Sequence, residues 1–345
     1  MKTLSRFRVV PIAIAVVALL VIGCGGGDDP SSDSAQAAAK SRKTIYVFAY
    51  FPHSLVTGTW AWYNGWQKAA AEVKPDVDVV IKEMGKIELE PANYLNFIRT
   101  GMVRQPDGVV VVPNSGATLS TGLQQMRKQF PDVKWLAMDQ PIPGLDVVSY
   151  VGTDNRAAGR QAAEYLLAQH DAGKLKSNEV AVFKAPPGAT SQDERVAGFK
   201  AAIEGSPLKV VKTIQDDDSA RATGRANMID VLTAHPNVGA VFSATDGYGL
   251  PVGAALAATD HLDVVNVSVD ADAEAIKLII DGKGMDAEVA QHFYDMGYQA
   301  VSTLARALKG ETVQKQVDTG TTLVTKSNAE VYLKRAAAEG KATGQ

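Results

Sequence analysis

From residue 44 onward the chain alternates between short β-branched runs and segments whose apolar residues recur every three or four positions. Runs at 44–50, 77–81, 108–112, 134–138, 147–151, 179–183, 208–214, 239–242 and 264–269 read as strands. Their apolar character is nearly continuous, as in strands buried on both faces of a parallel sheet. Helical spacing covers 92–103, 119–130, 156–169, 195–203, 225–234, 250–259, 273–281 and 296–308. Such alternation builds βαβ units and a doubly wound α/β architecture. There are more strands than one sheet needs, which predicts two sheets. The length of 345 residues agrees, at roughly 150 residues per domain.

The N-terminal segment up to Cys24 obeys a different rule. Lys2, Arg6 and Arg8 stand without acids before positions 9–22, which are apolar apart from Pro11 and end at Gly23-Cys24. That apolar stretch is short for a bilayer span. Charge asymmetry and the small residue before the break fit an exported signal segment better than an anchor or an N-terminal core helix. Val21-Ile22-Gly23-Cys24 resembles the lipobox of bacterial lipoproteins, in which the Cys is lipidated and becomes the new N-terminus. Positions 1–23 are then the signal peptide and the mature chain runs from 24 to 345. It loses Lys2, Arg6 and Arg8 and no acids, so its formal charge moves from −3 to −6. Positions 24–43 carry almost nothing large and apolar and read as a flexible tether. With Cys24 the only cysteine, an internal disulfide framework and a Cys-rich zinc site are excluded. The acidic balance opposes a nucleic-acid-binding face.

In open parallel sheets the ligand site lies beyond the carboxyl ends of the strands. The polar residues that follow strand runs are Pro52-His53, Asn114-Ser115, Asp139-Gln140, Asp154-Asn155, Thr245-Asp246, Asp270 and Gln291. Any one alone reads more readily as a turn residue or helix cap. Together they predict one polar crevice. Catalytic patterns are missing: the sequence holds no phosphate-binding P-loop, no H-E-x-x-H and no G-x-S-x-G. The five histidines are scattered, with none at metal-ligand spacing. Gly247-Tyr248-Gly249 follows a strand but lacks dinucleotide-fingerprint spacing, so it reads as a helix start. No cofactor and no metal are expected.

The order of these pieces, over about 44–333, resembles the type I periplasmic sugar-binding proteins of ABC importers, in particular the ribose-binding-protein-like group. The resemblance rests on 107–113 (DGVVVVP), 135–139 (WLAMD), 151–155 (VGTDN) with Gly159, 191–199 (SQDERVAGF), 232–246 (LTAHPNVGAVFSATD), Val269-Asp270 and 287–291 (AEVAQ). It implies two Rossmann-like lobes with parallel sheets, joined by a three-segment hinge and closing on a ligand. Carried across, lobe one is 44–153 plus 292–322 and lobe two is 154–291 plus 323–345. Asp139 and Asp270 match the family's two carboxylates, Arg195 its guanidinium and Gln291 its ligand-binding glutamine; Asn155, Thr245 and Asp246 fall in matching turns.

Those residue types suit a carbohydrate or polyol. Ionised Asp accepts two hydroxyl donors at once, Arg offers a planar fork of donors, and Gln both donates and accepts. The competing readings are helix capping for the two Asp residues and a surface ion pair for Arg195. Sugar C–H faces pack on aromatic rings. The resemblance places the family's stacking aromatic at the start of the first helix, 60–66 here. Trp62, Trp66, Ala69 and Val73 share a core stripe, Trp60 and Tyr63 fall on another face, and Trp60 is the stacking candidate, with core packing as the competing reading. Trp135 lies inside a strand and reads as core. Three departures from the family pattern bear on specificity: a longer polar stretch after strand one, Gln140 where many members carry Arg, and Thr245 in place of Asn.

The resulting expectation is a lipid-anchored solute receptor that captures a monosaccharide or polyol and delivers it to an ABC permease and its ATPase. It would be a monomer, exported to the outer side of the cytoplasmic membrane or the periplasm. A second reading keeps the binding but sends the signal to a sensor, with a ligand such as a furanosyl autoinducer. A third, a glycosidase using Asp139 and Asp270, requires carboxylates at set separations that no sequence feature indicates. A transcription regulator is excluded by the export segment occupying the place of a helix-turn-helix.

Overall fold

The computed structural model describes residues 42–54, 59–216, 221–270 and 272–338. The expected signal peptide, Cys24 and the tether as far as residue 41 lie outside the described residues. In chain order the elements of the first half are β1 (Lys43–Ala49), α1 (Thr59–Val73), β2 (Val77–Glu83), α2 (Pro91–Met102), β3 (Gly108–Val112), α3 (Gly116–Gln129), β4 (Lys134–Met138) and β5 (Ser149–Gly152). Next come α4 (Asn155–Asp171), β6 (Glu179–Lys184), α5 (Thr190–Ile203), β7 (Lys209–Gln215), α6 (Arg221–Ala234), β8 (Ala240–Ser243), α7 (Asp246–Ala258) and β9 (Val265–Asp270). The chain ends with α8 (Ala273–Asp281), β10 (Ala287–Gln291), α9 (Phe293–Leu308), β11 (Gln316–Asp318), β12 (Thr321–Thr325) and α10 (Ala329–Ala338).

The strands form two six-stranded sheets, ordered β11-β5-β4-β3-β1-β2 and β12-β10-β9-β8-β6-β7. All pairs are parallel except β10 with β12. Each sheet with its helices is one α/β lobe. The chain passes between lobes three times: after β5, after β10 and between β11 and β12. The third passage, expected at 322–323, falls at 319–320, because Thr321 already pairs with Gln291 in the second sheet. The passages are stitched together: Asp154 N–H donates to Asp318 Oδ1 at 3.0 Å, Thr153 Oγ1 to Gln291 Oε1 at 2.7 Å, and Thr319 N–H to the Gly152 carbonyl at 3.0 Å.

Apolar side chains cover both faces of each sheet. In lobe one, Trp66 and Ala69 of α1 meet Ala300 and Leu304 of α9 on one face. Tyr94 and Ile98 of α2 join Leu119 and Leu123 of α3 on the other. In lobe two, α4 and α5 cover one face through Ala162, Leu166, Val196 and Phe199, with the Phe199 ring stacked on Phe242 at 4.4 Å. Helices α6 and α7 cover the opposite face.

One packing device recurs in the two lobes. Where α4 crosses α5, a Cβ on Gly159 would collide with the Arg195 carbonyl and one on Gly198 with the Arg156 carbonyl. Where α1 crosses α9, Gly65 and Gly297 stand in the same reciprocal relation to the Tyr294 and Trp62 carbonyls. Only glycine admits backbones that close, and the first crossing fixes the residue that carries Arg195. The periodicity did not single out β10, β11 and β12: β10 carries Glu288 near its centre, β11 is very short, and β12 is threonine-rich.

Candidate functional site

The carboxyl ends of the strands in both sheets open on a single cavity of about 770 Å³, within the size range of small-molecule sites. Its lobe-two wall is a hydrogen-bonded polar cluster. Arg195, only 2% exposed, donates from Nε to Asn155 Oδ1 at 2.9 Å and from Nη1 to the Ala244 carbonyl at 2.8 Å and Asp270 Oδ1 at 3.1 Å. Gln291 Nε2, at the end of β10, donates to the same Asp270 oxygen at 2.6 Å. The other oxygen of Asp270 accepts the Asp246 N–H at 3.3 Å. Asp246 starts α7 and ties two turns together, since its Oδ2 accepts the Asp272 N–H at 2.8 Å and its Oδ1 lies 2.7 Å from Ser268 Oγ. Burial pushes Asp270 above the usual carboxylate range, against the pull of Arg195. Burial and the Asp270 charge raise Asp246 to about 7.

The lobe-one wall is aromatic and sparsely bonded. Tyr50, Phe51, Trp62 and Phe293 line it, with ring centroids 5.7 Å apart for Phe51 and Trp62 and 5.1 Å for Trp62 and Phe293. Asp139 projects from the end of β4. Its backbone is the centre of a tight turn closed by Gln140 N–H on the Met138 carbonyl at 2.8 Å, with φ at 69°. Asp tolerates this left-handed conformation better than most residues, and a turn of this hand is strained. The Asp139 carbonyl is pinned by the Tyr150 hydroxyl at 2.8 Å. Its carboxylate has no hydrogen-bond partner among the described residues. Burial raises it to about 7, with Arg195 lowering it and Asp270 raising it, so all three groups share one electrostatic field. Beside it, Gln140 Nε2 donates to the Asn114 carbonyl at 2.9 Å.

The two walls also touch at the mouth. Ser115, which caps α3, donates from Oγ to the Gly188 carbonyl of lobe two at 2.8 Å. That loop is held by Gly188 N–H on Asp193 Oδ2 at 3.1 Å, and Asp193 pairs with the buried Lys184.

Of the residues singled out from the sequence, Asp139, Gln140, Arg195, Thr245, Asp246, Asp270 and Gln291 line this cavity. Asn155 stands behind it and holds Arg195. Capping is excluded for the two central carboxylates: no helix follows Asp139, and α8 is capped by Asp272, not Asp270. Capping is the role of Asp154 and Ser115. Trp60 does not reach the cavity; it packs edge-on against His53 at 4.4 Å. Trp62, two positions along and so about 200° around the helix, takes the wall position. His53 likewise turns away, onto Glu83 at 2.8 Å and flat against Tyr63 at 3.8 Å. Periodicity placed Trp62 on the core stripe; it does both, being 5% exposed. Glu288 and Ser268 were missed, although a lone acid within 287–291 was a visible signal.

The fold matches that of known proteins. Residues 48–312 match the periplasmic binding protein domain. The chain belongs to the periplasmic binding protein family. The ribose import binding protein of Escherichia coli is 28% identical over 236 residues, covering 68% of this chain and 77% of that protein. A carbohydrate transporter solute-binding protein from Agrobacterium radiobacter, solved in complex with D-arabinose, superposes with a TM-score of 0.75 at 25% identity, over 86% of this chain and 99% of the other. A periplasmic ribose ABC transporter protein from Conexibacter woesei gives a TM-score of 0.75 at 21% identity, over 88% and 98%. Among the described residues, no helix is long and apolar enough to cross a membrane and no cluster of His, Cys, Asp or Glu could hold a metal ion.

Proposed function

We propose that this protein is the solute receptor of an ABC importer and captures a monosaccharide or polyol between its lobes. The observation that carries this reading is the cluster of Arg195, Asp270 and Gln291 facing Asp139 across a cavity with an aromatic wall. It combines donors and acceptors for vicinal hydroxyls with a flat apolar surface for C–H faces. Hinge closure around ligand is how periplasmic binding proteins work, and the three stitched passages provide the hinge, with lobe limits near 153–154, 291–292 and 319–320. The site residues are Asp139, Gln140, Arg195, Thr245, Asp246, Asp270 and Gln291, with Trp62 as the stacking ring. The receptor needs no bond-making chemistry: hydrogen bonds supply affinity and the closed lobes report occupancy to a permease and its ATPase. The basic start, apolar segment and Cys24 support export and lipid anchoring.

A thermal-shift screen of the protein against pentoses, hexoses, polyols and a furanosyl signal molecule tests this. A ligand at about 100 times its dissociation constant adds about 2.7 kcal/mol of stability, a shift of a few degrees at this size. A selective upward shift is expected from one sugar or polyol. No shift across the whole panel would overturn the ligand class, and mass spectrometry showing an unlipidated Cys24 in the native host would overturn the anchor.

A further inference from the structure

Behind the cavity, outside its lining, Ser268 stands between two carboxyl groups. Ser268 sits in β9, fully buried, with its Oγ 2.7 Å from Asp246 Oδ1 and 2.6 Å from Glu288 Oε2. One hydroxyl carries one proton and can donate to only one carboxylate. The second short contact is a hydrogen bond only if the carboxyl there carries a proton and donates to Ser268. The surroundings decide which carboxyl that is. Asp246 Oδ2 already accepts the Asp272 N–H, whereas Glu288 Oε1 is buried with no partner among the described residues. An anion on Glu288 would be fully buried and half-satisfied, which is costly; an anion on Asp246 has donors on both oxygens.

No positive charge offsets this among the described residues packed around it. Burial first, then the charge of Asp246 on α7 and a direct hydrogen bond to it, and last the charge of Asp270 on β9, push Glu288 up, against the pull of the Ser268 hydroxyl; the same contact lowers Asp246. Val324 of β12 lies opposite Glu288 in register. Helices α8 and α10 bury Ala275, Ile276, Ile279 and Ala329 on this side, while Glu274, Lys277 and Glu330 are exposed. Arg195 bonds Asn155, Ala244 and Asp270 instead.

We propose that Glu288 keeps its proton at neutral pH and is a positioning residue: through Ser268 it orients Asp246, which laces the turn after β8 to the turn after β9 and so sets Asp270. Its value to ligand capture rests on the sugar-receptor reading; its protonation and the lacing do not, and the test therefore uses no ligand.

The first measurement is carbon NMR of the protein labelled at the glutamate carboxyl, with the Glu288 resonance assigned by its loss in Glu288→Gln. A protonated-carboxyl position at pH 7 is expected; an ionised position overturns the proposal. The second is thermal unfolding of both proteins from about pH 5 to about pH 9. The unfolded chain releases this proton near pH ~4.3 and the native state holds it higher, so the wild type loses stability with rising pH. The amide of the Glu288→Gln variant has no such proton to lose, and the gap in Tm in favour of the variant should widen; a gap constant with pH overturns the proposal. The third is amide exchange in Ser268→Ala, which also covers a Glu288→Gln protein that fails to fold. Protection of the Asp272 amide should fall at least tenfold, and unchanged protection would contradict the positioning role.

Discussion

The two walls of the cavity are built on opposite principles. In lobe two the central polar side chains facing the ligand space are held: Arg195 by three acceptors, Asp270 by Arg195, Gln291 and the Asp246 amide. In lobe one four rings stand beside short polar side chains that bond chiefly to backbone carbonyls, and its one carboxylate, Asp139, has no bonding partner among the described residues. Both lobes share the same strand order, differing only in the direction of one edge strand, and the same reciprocal-glycine helix crossing. The contrast therefore belongs to the site, not the scaffold. Lobe two is the preorganised platform and lobe one the adaptable jaw, a division that limits the ordering cost of binding to a few groups.

The sharpest way to break this contrast is Arg195→Leu. Removing the guanidinium leaves Asp270 facing Asp139 and Asp246 with only the Gln291 amide and the Asp246 N–H as donors and no positive charge, and breaking a buried pair typically costs about 3–5 kcal/mol. Because Asp270 keeps 25% of its side chain exposed, the low end, about 3 kcal/mol, is expected in urea unfolding, together with loss of ligand response. A variant as stable as the wild type would mean the platform is not held as described.

Asp139→Asn should do the reverse. Its folded value is about 7 against an unfolded value near ~3.9, so the native state binds the extra proton between about pH 4 and 7. Wild-type stability attributable to this group falls as pH rises through that window and stays low above it. The Asn variant escapes the loss and should be more stable by about 1–2 kcal/mol at pH 8, discounting for partial solvent screening, with the gap closing by pH 4. Ligand affinity should drop in the same variant. A variant less stable than wild type at pH 8 would show that Asp139 has a structural partner.

Smaller still is the effect of the rings. Trp62→Phe should weaken ligand affinity by about 1 kcal/mol and abolish most of the ligand-induced change in tryptophan fluorescence, whereas Trp60→Phe should leave both intact. The opposite pattern would return the stacking role to Trp60.

That pair also marks how far sequence could go. Strand-end residues were readable because parallel α/β sheets gather them at one edge whatever the lobe geometry, which is why Asp139, Asp270 and Gln291 could be named together; Arg195, inside α5, was legible only through the resemblance to a known family. The direction of α1 relative to the cavity is set by its crossing with α9, a contact between segments from opposite ends of the chain, so Trp60 and Trp62 could not be told apart by spacing. Glu288 was hidden for a related reason. An acid inside a buried strand is interpretable only once Ser268 is known to stand beside it, and register is a property of the assembled sheet. The last passage between lobes shifted because β12, short and threonine-rich, declares itself only by pairing with β10.

The most direct measurement is titration calorimetry of the wild type and Asp270→Ala with the sugar or polyol giving the largest thermal shift. Asp270 touches the guanidinium, the glutamine and the laced turn at once, so it is the point on which the platform converges. One-to-one binding by the wild type, weakened at least a hundredfold in Asp270→Ala (about 2.7 kcal/mol), is expected. Equal affinity in the two proteins, or no heat with any member of the panel, would contradict the claim that this cavity captures a carbohydrate through its lobe-two platform.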